Sequence, residues 1–427
     1  MNKTLKIQKE TATLGFRNIS FGHWMLFFLW PFAMLVRALG RWKSPDSKTV
    51  FWLFCMYFGF TFVYADIIFG AADSARYAAQ LILFHSRPFS LTSLFDALYN
   101  PNEGFVDIYQ PLMTWIVAQF TDDPRYLFLL FSIVFGFFYT QNLWIVFRRI
   151  KVNSGFFLTL LMFSYALINP IWNINGVRMW TAAHVFLYGI LLYFLLNKKK
   201  GIIWMFSSAL FHFSFLYPIL VFTIWLLVPK RLNLFFALYA ITTFIDEINL
   251  IAVRDSLSFL PEVFMPRVEG YTNIDYAQRI AESKYAWHVV WAGYAFRFSM
   301  YAFIIFSGLS VKKWKNSHPE VFSLFLFALL LGSAANLASN VPSGGRFLVL
   351  SNSLFFVVFI TLYDALVKIK GLQGVKAFNT PTLLFSIIFN IRTGFDYAGF
   401  LLFIGNPVFA LLIPSQTPII DFIKAIF

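Results

Sequence analysis

The chain has 427 residues, of which 59% are hydrophobic and only 13% charged, with 57 phenylalanines and a formal charge of +14. A soluble domain of this length has no use for so much apolar surface, and repeated apolar runs near membrane length exclude that class. The positive charge does not point to nucleic acid, because it is broken into short clusters between apolar runs, where it sets topology and meets anionic lipid headgroups.

The runs are continuously apolar rather than alternating, so helices are expected and a barrel is not. The N-terminal segment, with Lys3, Lys6, Lys9 and Arg17, lacks a small-residue cleavage signature and is expected to be retained. His23–Gly40 contains Pro31 and Arg37 and is basic on both flanks, which favours an interfacial or re-entrant segment over a crossing. Val50–Gly70 is expected to cross outward. A polar stretch of mixed charge follows, within an outer loop over 71–125, and Pro111–Phe120 is too short to span alone. Tyr126–Phe147 crosses back, Gly155–Trp172 crosses outward, and Val177–Leu196 returns to Lys198–Lys200.

Gly201–Val228 is too short for two full crossings and must be a re-entrant hairpin or two short tilted helices. His212-Phe213-Ser214 stands at its tip, roughly 15–18 Å in from the lysines and near the bilayer midplane. Leu234–Val253 crosses outward to a second outer loop, 254–288. Val289–Ser310, Val321–Ser339 and Phe347–Val367 follow, with a turn at Asn340–Arg346. The topology of the tail from Thr380 is not defined by the pattern. The basic clusters Arg41–Lys48, Arg148–Lys151, Lys198–Lys200, Lys230–Arg231, Lys312–Lys315 and Lys368–Lys376 all fall on one side. The expected fold is therefore all-α: a single polytopic membrane domain, 1–427, of about 10–12 transmembrane or re-entrant helices.

Arg178 and Arg346 then sit at outer helix ends, each after a glycine-containing turn, Asn175-Gly176-Val177 and Ser343-Gly344-Gly345. An arginine at such an end can simply anchor its helix by snorkelling. Two of them beside glycine turns on one side suit a diphosphate, since guanidinium binds phosphate oxygens as a fork and stays charged. His212 is too deep to snorkel; it serves either as a general base or hydrogen-bonding group, or as a structural histidine satisfied by a helix carbonyl. His184 is more simply structural. Asp73 either pairs locally with Arg76 or orients and deprotonates a hydroxyl. Arg392 and Asp396 have the spacing of an intrahelical ion pair, which takes precedence over catalysis. Arg267, Glu269, Tyr271, Asp275, Tyr276 and Arg279 suit stacking on sugars and equally an ordinary structured loop. No zinc-ligand spacing, phosphate loop or nucleophile elbow occurs.

Asn175-Gly176-Val177-Arg178, a helix, a lysine run and then Phe211-His212-Phe213-Ser214 resemble the central signature of the EpsG-type, Wzy-like polysaccharide polymerases. Met179 replaces the usual glutamine, and Phe213 replaces proline. Asp73 with Tyr77, and Gly345-Arg346-Phe347, also match in order, so the resemblance runs from about residue 50 to about residue 410. It implies a GT-C-like or Wzy-like fold in the bacterial inner membrane and a metal-independent glycosyltransferase that joins polyprenyl-diphosphate-linked oligosaccharide units. Arg178 and Arg346 would hold the leaving diphosphate, and His212 or Asp73 would act on the acceptor hydroxyl. Tyr77, Arg76, Ser214, Tyr271, Asp275, Tyr276 and Arg392 are the expected substrate-binding residues. The implied partners are the lipid-linked substrate, the bilayer, a flippase and a chain-length regulator, with no nucleic acid and no cofactor. A flippase using the same arginines, or a non-catalytic assembly subunit, are the competing expectations.

Overall fold

The computed structural model describes residues 19–64, 72–87, 90–98, 106–151, 155–275, 278, 286–413 and 417–426. Among these the chain is helical, without a strand, and residues Phe62 and Ala398 form an isolated bridge. Five helical stretches are long and apolar enough to cross a membrane: Pro124–Phe147, Phe156–Leu195, Trp287–Leu309, Pro319–Ala338 and Arg346–Leu366. By length and composition the chain is a membrane protein with several crossings.

Helices α1 (Phe21–Leu29) and α2 (Pro31–Gly40) are short and break at Trp30, where Pro31 opens the second helix. Helix α3 (Ser47–Phe60) packs on α7 (Pro124–Phe147), and the close approach of Gly136 to Cys55 brings the two backbones together. The described residues between α3 and α7 hold three short helices, α4 (Asp73–Ser86), α5 (Leu91–Ala97) and α6 (Tyr109–Ala118). Gln110 Nε2 donates to Gln80 Oε1 at 2.7 Å and ties α6 to α4.

The 156–195 stretch is two helices, not one rod. After α8 (Phe156–Leu167) a 3₁₀ turn over Ile171–Gly176 reverses the chain into α9 (Val177–Ile190), which continues as π-helix to Leu195. Tyr165 donates to the Asn142 carbonyl and Asn142 Nδ2 donates to the His184 carbonyl, so 165 and 184 lie side by side on α7. A continuous helix of ~1.5 Å rise would hold them about 28 Å apart. The expected reversal of the chain near Asn173–Gly176 is therefore present.

Helices α10 (Gly201–Phe211) and α11 (Leu216–Leu227) form a hairpin of two short helices. Gly201 lies against Gly189 and Tyr193, and Phe222 and Trp225 return to Tyr193 and Phe194. At the other end Ser214 Oγ lies 3.8 Å from Met179 Sδ. The tip thus reaches the level of the first turn of α9, and His212 does not lie well below Arg178 as its distance from the lysines suggested. The reason is that α9 runs on past Gly201, so the hairpin starts part-way along it.

A second difference concerns Leu234–Val253. Helix α12 (Leu232–Thr243) stops early, Asp246 and Glu247 interrupt the apolar run, and Asn249 Oδ1 caps a separate helix, α13 (Leu250–Ser256), by accepting from Ile251 and Ala252 N–H. Helix α14 (Met265–Tyr271) follows. Helices α15 (Trp287–Leu309), α16 (Pro319–Ala338), α17 (Arg346–Leu366) and α18 (Leu372–Gly394) complete the bundle, with α18 packed along α15.

Basic clusters meet at one end. Lys48 Nζ donates to Gln141 Oε1 at 2.6 Å, Arg149 pairs with Glu320 at 3.7 Å and donates to the Leu195 carbonyl, and the Lys151 amide donates to Asp364 Oδ2 at 3.3 Å. Arg178 and Arg346 begin α9 and α17 at the opposite end.

Candidate functional site

The His212 break has a local cause. Helix α10 ends at Phe211, and His212 adopts an extended conformation with φ −154° and ψ 119°. Its ring then caps the next turn: Ser214 N–H donates to Nδ1 at 3.3 Å, and Ser214 Oγ lies 2.7 Å from the same nitrogen. An amide can only donate, so Nδ1 is an acceptor and the neutral ring carries its proton on Nε2. The nitrogen left for a ligand is a donor, which does not suit a general base.

His212 lines a cavity of about 790 Å³ between the hairpin tip, α13, α14 and the 341–347 turn. One end is polar and includes His212, Ser214, Tyr271 and Arg346. The rest of the wall is chiefly apolar and includes Leu220, Val253, Leu257 and Leu337. The turn that presents Arg346 is tight: Ser343 has φ 64°, and a Cβ on Gly344 would stand 1.8 Å from the Ala338 carbonyl oxygen. Arg346 is exposed to the cavity and makes no ion pair among the described residues. Arg178, Arg267 and Arg346 all act electrostatically on His212 and on Tyr271.

Arg178 itself is held behind the tip. Its Nη1 donates to Asp107 Oδ2 at 3.2 Å, and its guanidinium also engages the Tyr77 hydroxyl. Asp107 is 2% exposed and accepts from the Phe213 amide on its other oxygen, at 2.6 Å. Burial pushes its carboxyl up to about 6, against the opposing pull of Arg178, the Phe213 amide and Arg267. Burial likewise pushes the Tyr77 phenol up to about 12. Asp73 pairs with Arg76, the local pairing open from their spacing, and one oxygen would lie 3.7 Å from a Cβ on Gly176.

The expected residues therefore form two clusters. Asp73, Arg76, Tyr77 and Arg178 gather where α4 meets α9; His212, Ser214, Tyr271 and Arg346 gather in the cavity. Asp107 joins them. In the sequence it is one of several charges in the polar stretch before Tyr109, and its partners lie 71 and 106 positions away. The available signal was its place just before a short apolar segment, Tyr109–Ala118, that does not span. Arg392 pairs with Asp396 at 3.0 Å and does not line the cavity; neither does Asp275. Tyr276 and Arg279 lie outside the described residues. His184 is structural: its Nε2 lies 3.0 Å from the Asn169 carbonyl and its Nδ1 3.3 Å from Asn142 Nδ2.

No protein-family model, curated protein or solved structure matches the chain.

Proposed function

We propose that the chain is a Wzy-like membrane glycosyltransferase of the bacterial inner membrane that joins polyprenyl-diphosphate-linked oligosaccharide units into a surface polysaccharide. One observation carries the reading: a single cavity of about 790 Å³ combines an apolar wall with a polar end that holds His212 and Arg346. That division suits an amphiphile with an anionic head, and an unpaired guanidinium is the group of choice for phosphate oxygens.

In this reading the growing chain leaves its lipid diphosphate and is transferred to an acceptor sugar. The bond between the anomeric carbon and the diphosphate oxygen breaks, and a bond from that carbon to the acceptor hydroxyl oxygen forms. Arg346 and the His212 Nε2–H stabilise the negative charge gathering on the departing diphosphate, the place where fixed donors act most strongly. Arg178 adds positive charge from behind the tip. His212 does not take the hydroxyl proton, because its nitrogen facing the cavity is already protonated; Asp73, partly exposed beside the Gly176 turn in the neighbouring cluster, takes it from an acceptor sugar that extends from the cavity to that turn. Tyr271 and Phe213, with ring centroids 6.3 Å apart, offer an aromatic wall to a sugar.

The test is reconstitution of the purified chain with lipid-linked repeat units. Longer glycans with no other enzyme present support a polymerase. Passage of the units across the bilayer at unchanged length supports a flippase instead, and polymer formation in cells that survives Arg346→Ala and Arg178→Ala, with none by the purified chain, supports an assembly subunit.

A further inference from the structure

We propose that Asp107 is the positioning residue of this site: its single carboxylate fastens the Arg178 guanidinium to the backbone of the hairpin tip, so that the Arg178 charge behind the tip and His212 on the cavity wall are held as one unit. The inference rests on the polymerase reading for its catalytic readout, though not for its structural one.

Both oxygens of Asp107 are engaged in this work. Oδ2 accepts from Arg178 on α9 at 3.2 Å, and Oδ1 accepts from the Phe213 amide at 2.6 Å. At 2% exposure Asp107 has no open face for a substrate hydroxyl, which separates it from Asp73 and rules out the role of base. It does not cap its own helix either: α6 begins two residues later without a side-chain cap. The tip needs an external tie because it is a helix break, where backbone N–H groups lose their helical partners. Phe213 lies between His212, which bears the cavity-facing donor, and Ser214, which sets its tautomer. Holding the Phe213 amide therefore fixes the imidazole.

Among the described residues, the charged and titratable groups coupled to Asp107 include Arg178 from α9 and Arg267 and Tyr271 from α14, and His212 is next to its Phe213 partner on the tip. The cations favour the carboxylate, and burial opposes it. With its carboxyl near 6, Asp107 takes up a proton on mild acidification and its charge-assisted hold on Arg178 is lost.

The experiment uses the full chain in proteoliposomes with a polyprenyl-diphosphate-linked oligosaccharide, comparing wild type, Asp107→Asn and Asp107→Ala. Wild-type kcat should fall with decreasing pH through about 6. Asp107→Asn keeps an acceptor for the Phe213 amide but no charge for Arg178. It should lower kcat about 10- to 100-fold, leave KM within about threefold, and lack the acid limb. In an Arg178→Ala background Asp107→Asn should have little further effect on kcat. Hydrogen exchange at the Phe213 amide, read on the same proteins without any substrate, should be faster in Asp107→Ala than in wild type. A wild type that makes no longer glycans at any pH counts against the polymerase reading and leaves the exchange result to decide this one. Unchanged Phe213 exchange in Asp107→Ala, or an Asp107→Asn enzyme with the wild-type kcat and acid limb, overturns the inference.

Discussion

Asp107 and Arg178, 71 residues apart in the chain, meet at 3.2 Å at the N-terminal end of α9, and the same carboxylate holds the Phe213 amide at 2.6 Å. A buried acid thereby connects a helix start, the segment before α6 and the tip of the α10–α11 hairpin. Removing one partner of such a pair leaves an uncompensated charge in a poorly solvated place, which is why buried pairs are sensitive to single changes. Asp107→Leu is expected to destabilise the protein by about 3 kcal/mol, at the low end for a buried pair because Arg178 retains some solvent contact. A thermal melt in detergent measures this; a melt within a degree of wild type would contradict it.

The same group sets a pH dependence of stability. Its folded-state pKa, about 6, lies above its ordinary value of 3.8. A carboxyl raised in this way contributes stability that is fully present below the ordinary value and is lost as pH rises through about 6. The Asp107→Asn variant should therefore show a flatter dependence of unfolding midpoint on pH between about 4 and 6 than the wild type does. Superimposable profiles would show that Asp107 does not titrate there.

Arg346 is exposed to the cavity and has no carboxylate partner among the described residues, so its removal should cost binding and rate with little cost in fold. Arg346→Ala is expected to lower polymer formation by about 10²- to 10³-fold, the range for losing one donor to developing charge. Arg346→Lys should recover only part, since an ammonium lacks the planar fork. Equal activity in Arg346→Lys and wild type would remove the bidentate role.

His212 is predicted to act as a donor. His212→Gln carries an amide donor in place of Nε2–H and should retain more activity than His212→Phe, whereas a general base would be lost equally in both. Rates of the two variants, each with a melting curve, decide between the roles.

Much of this architecture is legible in the residues. The apolar run ending at Phe147 defines α7 almost to its limits, and the basic clusters place Arg178 and Arg346 at the same end. The hairpin around His212 follows from the distance between Lys200 and Lys230. What local pattern does not contain is depth. Counting from the lysines put His212 near the midplane, because nothing local reveals that α9 continues past Gly201 while Gly189 and Gly201 bring the helices into contact part-way along. The run through Leu234–Val253 misleads for a different reason. Hydropathy averages over Asp246 and Glu247, while the structure stops at Thr243 and restarts behind the Asn249 cap. Asp107 is the harder case, since both of its partners are remote in sequence and only the tertiary fold brings them together.

The glycine crossing can be tested directly. A Cβ on Gly189 would lie 2.6 Å from the Gly201 carbonyl oxygen, which is backbone and cannot swing aside. Gly189→Val should destabilise by at least ~1–3 kcal/mol, the usual cost of overpacking, and should disturb the tip through α10. A fully stable variant would mean that the two helices are not in contact at this point.

The most direct measurement is the stoichiometry of lipid release in proteoliposomes loaded with polyprenyl-diphosphate-linked repeat units. Each glycosidic bond made by transfer from a lipid diphosphate must free one lipid diphosphate. A polymerase gives longer glycans together with one polyprenyl diphosphate released for each new linkage, both lowered about 10²- to 10³-fold in Arg346→Ala. Lipid-linked units that cross the bilayer intact, with no release and no change in glycan length, would contradict that function.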